Sequence, residues 1–126
     1  MDEILLNVNW LAVIVGTIAA YALGMLWFGP LFGKAWFTGS HYIQRPEKPP
    51  YLPMATQFIG TFLMAWVIGA TATIDALVTA VFVILTIAIL QLTGSLFSQK
   101  SAAAALIDGG YTVAMGAVMI LVQGLL

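Results

Sequence analysis

Four long apolar stretches joined by short polar connections set the pattern of this chain. The first runs from Asn9 to about Gly29, the second from Pro53 to about Thr73, the third from Ala76 to about Phe97, and the fourth from Ser101 to Leu126. A hydrocarbon core about 30 Å thick is crossed by roughly 20 helical residues. Each stretch meets that length, so the pattern predicts an all-α membrane protein with four transmembrane helices at 9–29, 53–73, 76–97 and 101–126, in a single membrane domain, 1–126. The segment 30–52 is too polar to span and reads as a loop, in which Gly33-Lys34-Ala35-Trp36-Phe37 places aromatic rings at headgroup level.

Local signals punctuate these helices. Asn9 is placed to cap the first, and Pro30 stops it at the preceding residue. Pro53 suits the first turn of the second helix, and Asp75 reads as the cap of the third. The links at Asp75 and Lys100 are so short that consecutive helices must run antiparallel, an up-down-up-down bundle. Met1-Asp2-Glu3 is acidic where a secretory leader is basic, so the first stretch is expected to be a retained helix.

Composition sharpens this picture. Of 126 residues, 62% are hydrophobic and 7% charged, whereas a soluble domain carries about a quarter charged residues on its wetted surface. The lipid bilayer is therefore the expected partner. Four basic residues and a net charge of -1 exclude the clustered Lys and Arg of a nucleic-acid binder. With no cysteine and a single histidine, His41, the chain calls for no metal and no cofactor. Lys34, Arg45, Lys48 and Lys100 all fall on the side of the first and third connections, while Asp2, Glu3 and Asp75 occupy the other. The positive-inside rule then puts both termini outside the cytoplasm and segment 30–52 within it.

Small residues recur every four positions at Ala12, Gly16, Ala20 and Gly24, and again at Thr61, Ala65, Gly69 and Thr73. Such stripes let helix backbones approach closely in lipid, against each other or against a neighbouring subunit. They motivate an expected homo-oligomer, with another membrane protein as the alternative partner. Thr79, Thr86 and Thr93 can bond back to their own helix. A faint resemblance between 29–34 and 94–100, and between Gln57-Thr61-Met64 and Asp108-Thr112-Met115, reads either as a two-helix tandem repeat or as chance matching of common residues.

Polar side chains within the spans are the candidate ligand-binding residues, because each is costly in lipid. Asp108, Gln57 and Gln91 fall in the same half of the bundle, Tyr21 and Tyr111 reach similar depth, and Lys34 and Lys100 stand at the interface above them. Each also has a plainer reading. Asp108 precedes Gly109-Gly110 and would serve as a helix cap if the fourth helix began there; the glutamines would serve as interhelical glue, and the lysines as snorkelling anchors. No nucleophile elbow, phosphate loop or paired acid is present, so nothing calls for an enzyme, and Trp10 to Phe28 holds no carboxylate.

At Asn9 to Val13, at Gly24 to Trp36 and at Leu106 to Tyr111, the chain resembles the small bacterial membrane proteins classed as domain of unknown function 1761. Trp27-Phe28-Gly29-Pro30-Leu31-Phe32-Gly33-Lys34-Ala35-Trp36 is the most specific stretch, with Phe28 and Gly29 standing where family members usually carry Tyr and Ser. The resemblance implies a four-helix protein of a bacterial inner membrane and brings no activity. Two functions stand open: a homo-oligomeric, transport-like or ligand-binding bundle, and a structural or regulatory partner of another membrane protein.

Overall fold

A computed structural model describes residues 2–40 and 51–126. Met1, His41, Arg45 and Lys48, which enter the readings above, lie outside the described residues. The regular elements of the described residues are all helices, and the α-helices are α1 (Asp2–Leu5), α2 (Trp10–Leu26), α3 (Gly33–Gly39), α4 (Tyr51–Ala72), α5 (Leu77–Phe97) and α6 (Ala102–Leu125). Four segments are long and apolar enough to cross a membrane, Trp10–Leu31 and the helices α4, α5 and α6.

The predicted cap of α2 is present: Asn9 Oδ1 accepts from the Ala12 N–H at 3.1 Å. Pro30 does not simply end the helix. The chain widens into one π-type turn over Trp27–Leu31, bent at Gly29 (φ −108°, ψ −107°), because proline has no N–H to continue the ladder. Part of the expected loop is then helical, since α3 folds back and packs on α6. A β-carbon at Gly39 would come within 2.7 Å of Ala104 Cβ, so glycine permits that close seat.

Asp75 is not the cap of α5. It adopts φ 53° and closes α4, with Ala76 N–H donating to Thr71 C=O at 2.9 Å and Asp75 N–H to Ala72 C=O at 3.3 Å. Gln99 does the same for α5 at φ 65°, with Lys100 N–H donating to Ser95 C=O at 3.1 Å. The two stretches that match in sequence thus end their helices differently, α2 through a π-type turn and α5 through a left-handed residue.

Both small-residue stripes are filled within one chain. Ala12, Gly16 and Ala20 are buried in α2, and the space a side chain would take at Gly16 is bounded by Met119 of α6. Thr61, Ala65 and Gly69 are buried in α4, with Gly69 seated against Val13 of α2. Helix α6 is the hub, touching α2, α3, α4 and α5, whereas α5 rests mainly on α6 and meets α4 lightly. The outer face of α5, including Val78, Phe82, Leu85 and Leu90, is exposed, as a lipid-facing surface must be. Thr86 and Thr93 bond back to Phe82 and Ile89 at 2.8 Å each.

Candidate functional site

Helix α6 begins at Ala102, and its cap is Ser101, whose Oγ accepts from Ala104 N–H at 3.1 Å. Asp108 therefore lies inside the helix, about 10 Å along it, and caps nothing. Its carboxylate is the most heavily engaged polar group described. Oδ1 accepts from the Trp36 indole N–H at 2.7 Å, and Oδ2 accepts from the Ser95 hydroxyl at 2.5 Å and the Lys100 ammonium at 3.0 Å. The ammonium also sits 5.2 Å from the centre of the Trp36 ring. With the Asp108 and Lys100 side chains only 14% and 21% exposed, an ion pair and two hydrogen bonds replace water around the carboxylate.

The six candidate residues do not form one cluster. The structure separates them into three groups and leaves Lys34 aside. Asp108 is paired with Lys100, and Lys34 is exposed on α3. Gln91 of α5 accepts a hydrogen bond from the Thr112 hydroxyl of α6, the interhelical glue that an amide in lipid provides. Tyr21, Gln57 and Tyr111, from α2, α4 and α6, line one groove of about 370 Å³ between α2 and α4. The Tyr21 hydroxyl donates to Met54 C=O at 3.2 Å and the buried Tyr111 hydroxyl to Ala20 C=O at 2.8 Å. Gln57 Nε2 donates to Thr61 Oγ1 at 3.3 Å and lies within hydrogen-bonding reach of Tyr111.

Sequence reasoning missed the residue that joins the groove to the ion pair. Trp36 reads locally as one more interfacial aromatic, yet it lines the groove and donates to Asp108. Ser95 and Phe28 are likewise not among the polar candidates that the sequence offers. Phe28 stands edge-on to Trp36 at 5.1 Å and to Tyr111 at 5.3 Å, so three rings form a continuous aromatic wall. Trp27 donates to Ile107 C=O at 2.9 Å and anchors the π-type turn on α6. Gly24, read only as part of a stripe, makes room for Tyr111: a β-carbon there would lie 2.7 Å from the phenol oxygen. None of these pairings has a spacing signature, since each joins side chains on different elements.

Among the described residues no group of three or more His, Asp or Glu comes together to hold a metal ion. The arrangement offers instead an uncharged, aromatic-lined groove beside a neutralised ion pair. In comparison with known proteins, residues 11–124 match the family model described as Protein of unknown function (DUF1761). No curated protein and no solved structure matches.

Proposed function

The chain belongs to the DUF1761 family, and we propose that it is a ligand-binding bundle of a bacterial inner membrane, working as a homo-oligomer with both termini outside the cytoplasm. One observation carries the ligand-binding part: polar side chains from three helices, Tyr21, Gln57 and Tyr111, meet in a single concave site within the span. Ligand sites have this character, mostly apolar with a few convergent polar groups. The orientation follows from the one-sided distribution of Lys and Arg. Room for a second copy is offered by the broad exposed face of α5, because the glycine stripes of α2 and α4 are already filled.

The alternative, a structural or regulatory partner of another membrane protein, is favoured by a different observation. The polar side chains of Asp108 and Gln91 are engaged within the chain, as they would be in a protein whose role is to pack. The two readings part in one experiment. Protein extracted from its own membrane into lipid nanodiscs is released in a mass spectrometer with its bound molecules intact. A ligand-binding bundle carries a reproducible small molecule that Gln57→Leu loses; a structural partner carries none beyond exchangeable bulk lipid.

A further inference from the structure

We infer that the groove between α2 and α4 takes an uncharged, hydroxyl-bearing aromatic ring carried on a lipid tail, a phenolic or quinol-type head group. This rests on the ligand-binding reading and names the class of ligand.

Charge comes first. No described residue lining the groove is formally charged, and the carboxylate of Asp108 is held by Trp36 and neutralised by Lys100. An anion placed there would meet no counter-charge, and a cation would find ring faces and oxygens but no unpaired carboxylate to balance it, so we take the bound portion to be neutral.

Shape comes second. The lining is rings and thioethers, Tyr21, Phe28, Trp36, Tyr111, Met25 and Met54, and a flat ring extends such an array through edge and offset contacts. A void of about 150 Å³ holds benzene, so about 370 Å³ accommodates a substituted ring and the first part of a tail. Met25 and Met54 are 61% and 39% exposed at the rim, which leaves the tail a lateral exit into the bilayer. Gln57 stands about 9 Å into α4, close enough to the interface for a polar ring.

Hydrogen-bond direction decides the substituent. Both phenol protons are committed, Tyr21 to Met54 C=O and Tyr111 to Ala20 C=O; the Tyr111 oxygen has the Gln57 amide within reach, and the Tyr21 oxygen retains acceptor capacity. The Gln57 amide N–H₂ points at Thr61, leaving its Oε1 as a further acceptor. A groove furnished with acceptors selects a ligand that donates, which a hydroxyl does and an ether or ester does not.

The test uses the full chain in lipid nanodiscs and a para-octylphenol bearing a diazirine, photolysed and mapped by peptide mass spectrometry. The competitors are para-octylphenol, its methyl ether and octanol. Labelling is expected on the α2 and α4 peptides around Met25 and Met54. The phenol should compete at a concentration about fivefold below the ether, the worth of one hydrogen bond, and octanol should not compete. Gln57→Leu should remove most of the difference between phenol and ether. Folding does not confound this variant, because the Thr61 hydroxyl keeps its own bond to Gln57 C=O at 2.7 Å. Equal competition by the ether, or an unchanged preference in Gln57→Leu, overturns the donor requirement. Equal competition by octanol overturns the ring. In either case groove labelling leaves the ligand-binding reading standing, whereas labelling spread evenly over the lipid face of α5 defeats both.

Discussion

The indole N–H of Trp36 and the carboxylate of Asp108, 72 residues apart in sequence, are joined by a 2.7 Å hydrogen bond. That bond fastens α3 to the second turn of α6 and sets the Trp36 ring as one wall of the groove. Lys100 completes the arrangement from the turn between α5 and α6, paired with the same carboxylate and placed over the same ring. A charge that would be costly alone in a membrane is thereby made part of the architecture.

Asp108→Asn should not be silent. The amide can still accept from Trp36, but Lys100 loses its counter-charge in a half-buried place. A cost of about 1–3 kcal/mol is expected, below that of a fully buried pair because both groups keep some exposure. Lys100→Met alone should cost a similar amount, and the double variant less than the two together, by about 1 kcal/mol or more. Thermal unfolding of the purified variants in one detergent measures the cycle. Strict additivity would show that the pair contributes nothing. Ser101→Ala, the change at the true cap, should cost about 1 kcal/mol independently.

Glycine substitutions should follow the space each residue faces. Gly69→Leu must displace Val13, whose methyl lies 2.8 Å from the first added carbon, and should destabilise the fold severely. Gly94 faces nothing within 4 Å, so Gly94→Ala should be neutral or stabilising by up to about 1 kcal/mol through the unfolded chain. Thermal unfolding again reports both, and size-exclusion with light scattering tells loss of fold from loss of assembly. A fully stable but monomeric Gly69→Leu protein would place that stripe between subunits instead.

Gly24 and Tyr111 should be coupled. Gly24→Ala puts a methyl 2.7 Å from the phenol oxygen and should destabilise by about 1–3 kcal/mol. Tyr111→Phe removes that oxygen together with its bond to Ala20 C=O, at about 1 kcal/mol. In the Phe background the alanine should cost distinctly less than it does alone. Equal costs in both backgrounds would mean that the tyrosine is not held against α2.

Orientation is testable because the chain has no native cysteine. Glu3→Cys should react with an impermeant maleimide in intact cells, and Thr38→Cys only after permeabilisation, since both positions are exposed and lie on opposite sides in the proposed topology. Ser40 would be a poor reporter, being 3% exposed. Reaction at Thr38 in intact cells would invert the assignment.

Local sequence was enough to count the four helices long and apolar enough to cross a membrane, and to find the cap at Asn9 and the back-bonding of Thr86 and Thr93. The physical reason is that a span is a local property: in lipid every backbone group must be satisfied within its own helix, so about 20 apolar residues declare themselves without reference to the rest of the chain. The turns were less legible. Asp75 and Gln99 take left-handed backbone conformations usually given to glycine, so an aspartate that looked like the cap of α5 closes α4. It is the packing of the elements that brings α3 back onto α6 through a π-type turn, pairs Asp108 with Lys100 and Trp36, and puts Tyr21, Gln57 and Tyr111 in one groove without Gln91. Those outcomes depend on which helix faces meet, and in a bilayer apolar faces do not sort themselves by hydrophobicity. Close fit at small residues and the pairing of scarce polar groups choose the neighbours, and both act between different elements, where no local pattern reports them.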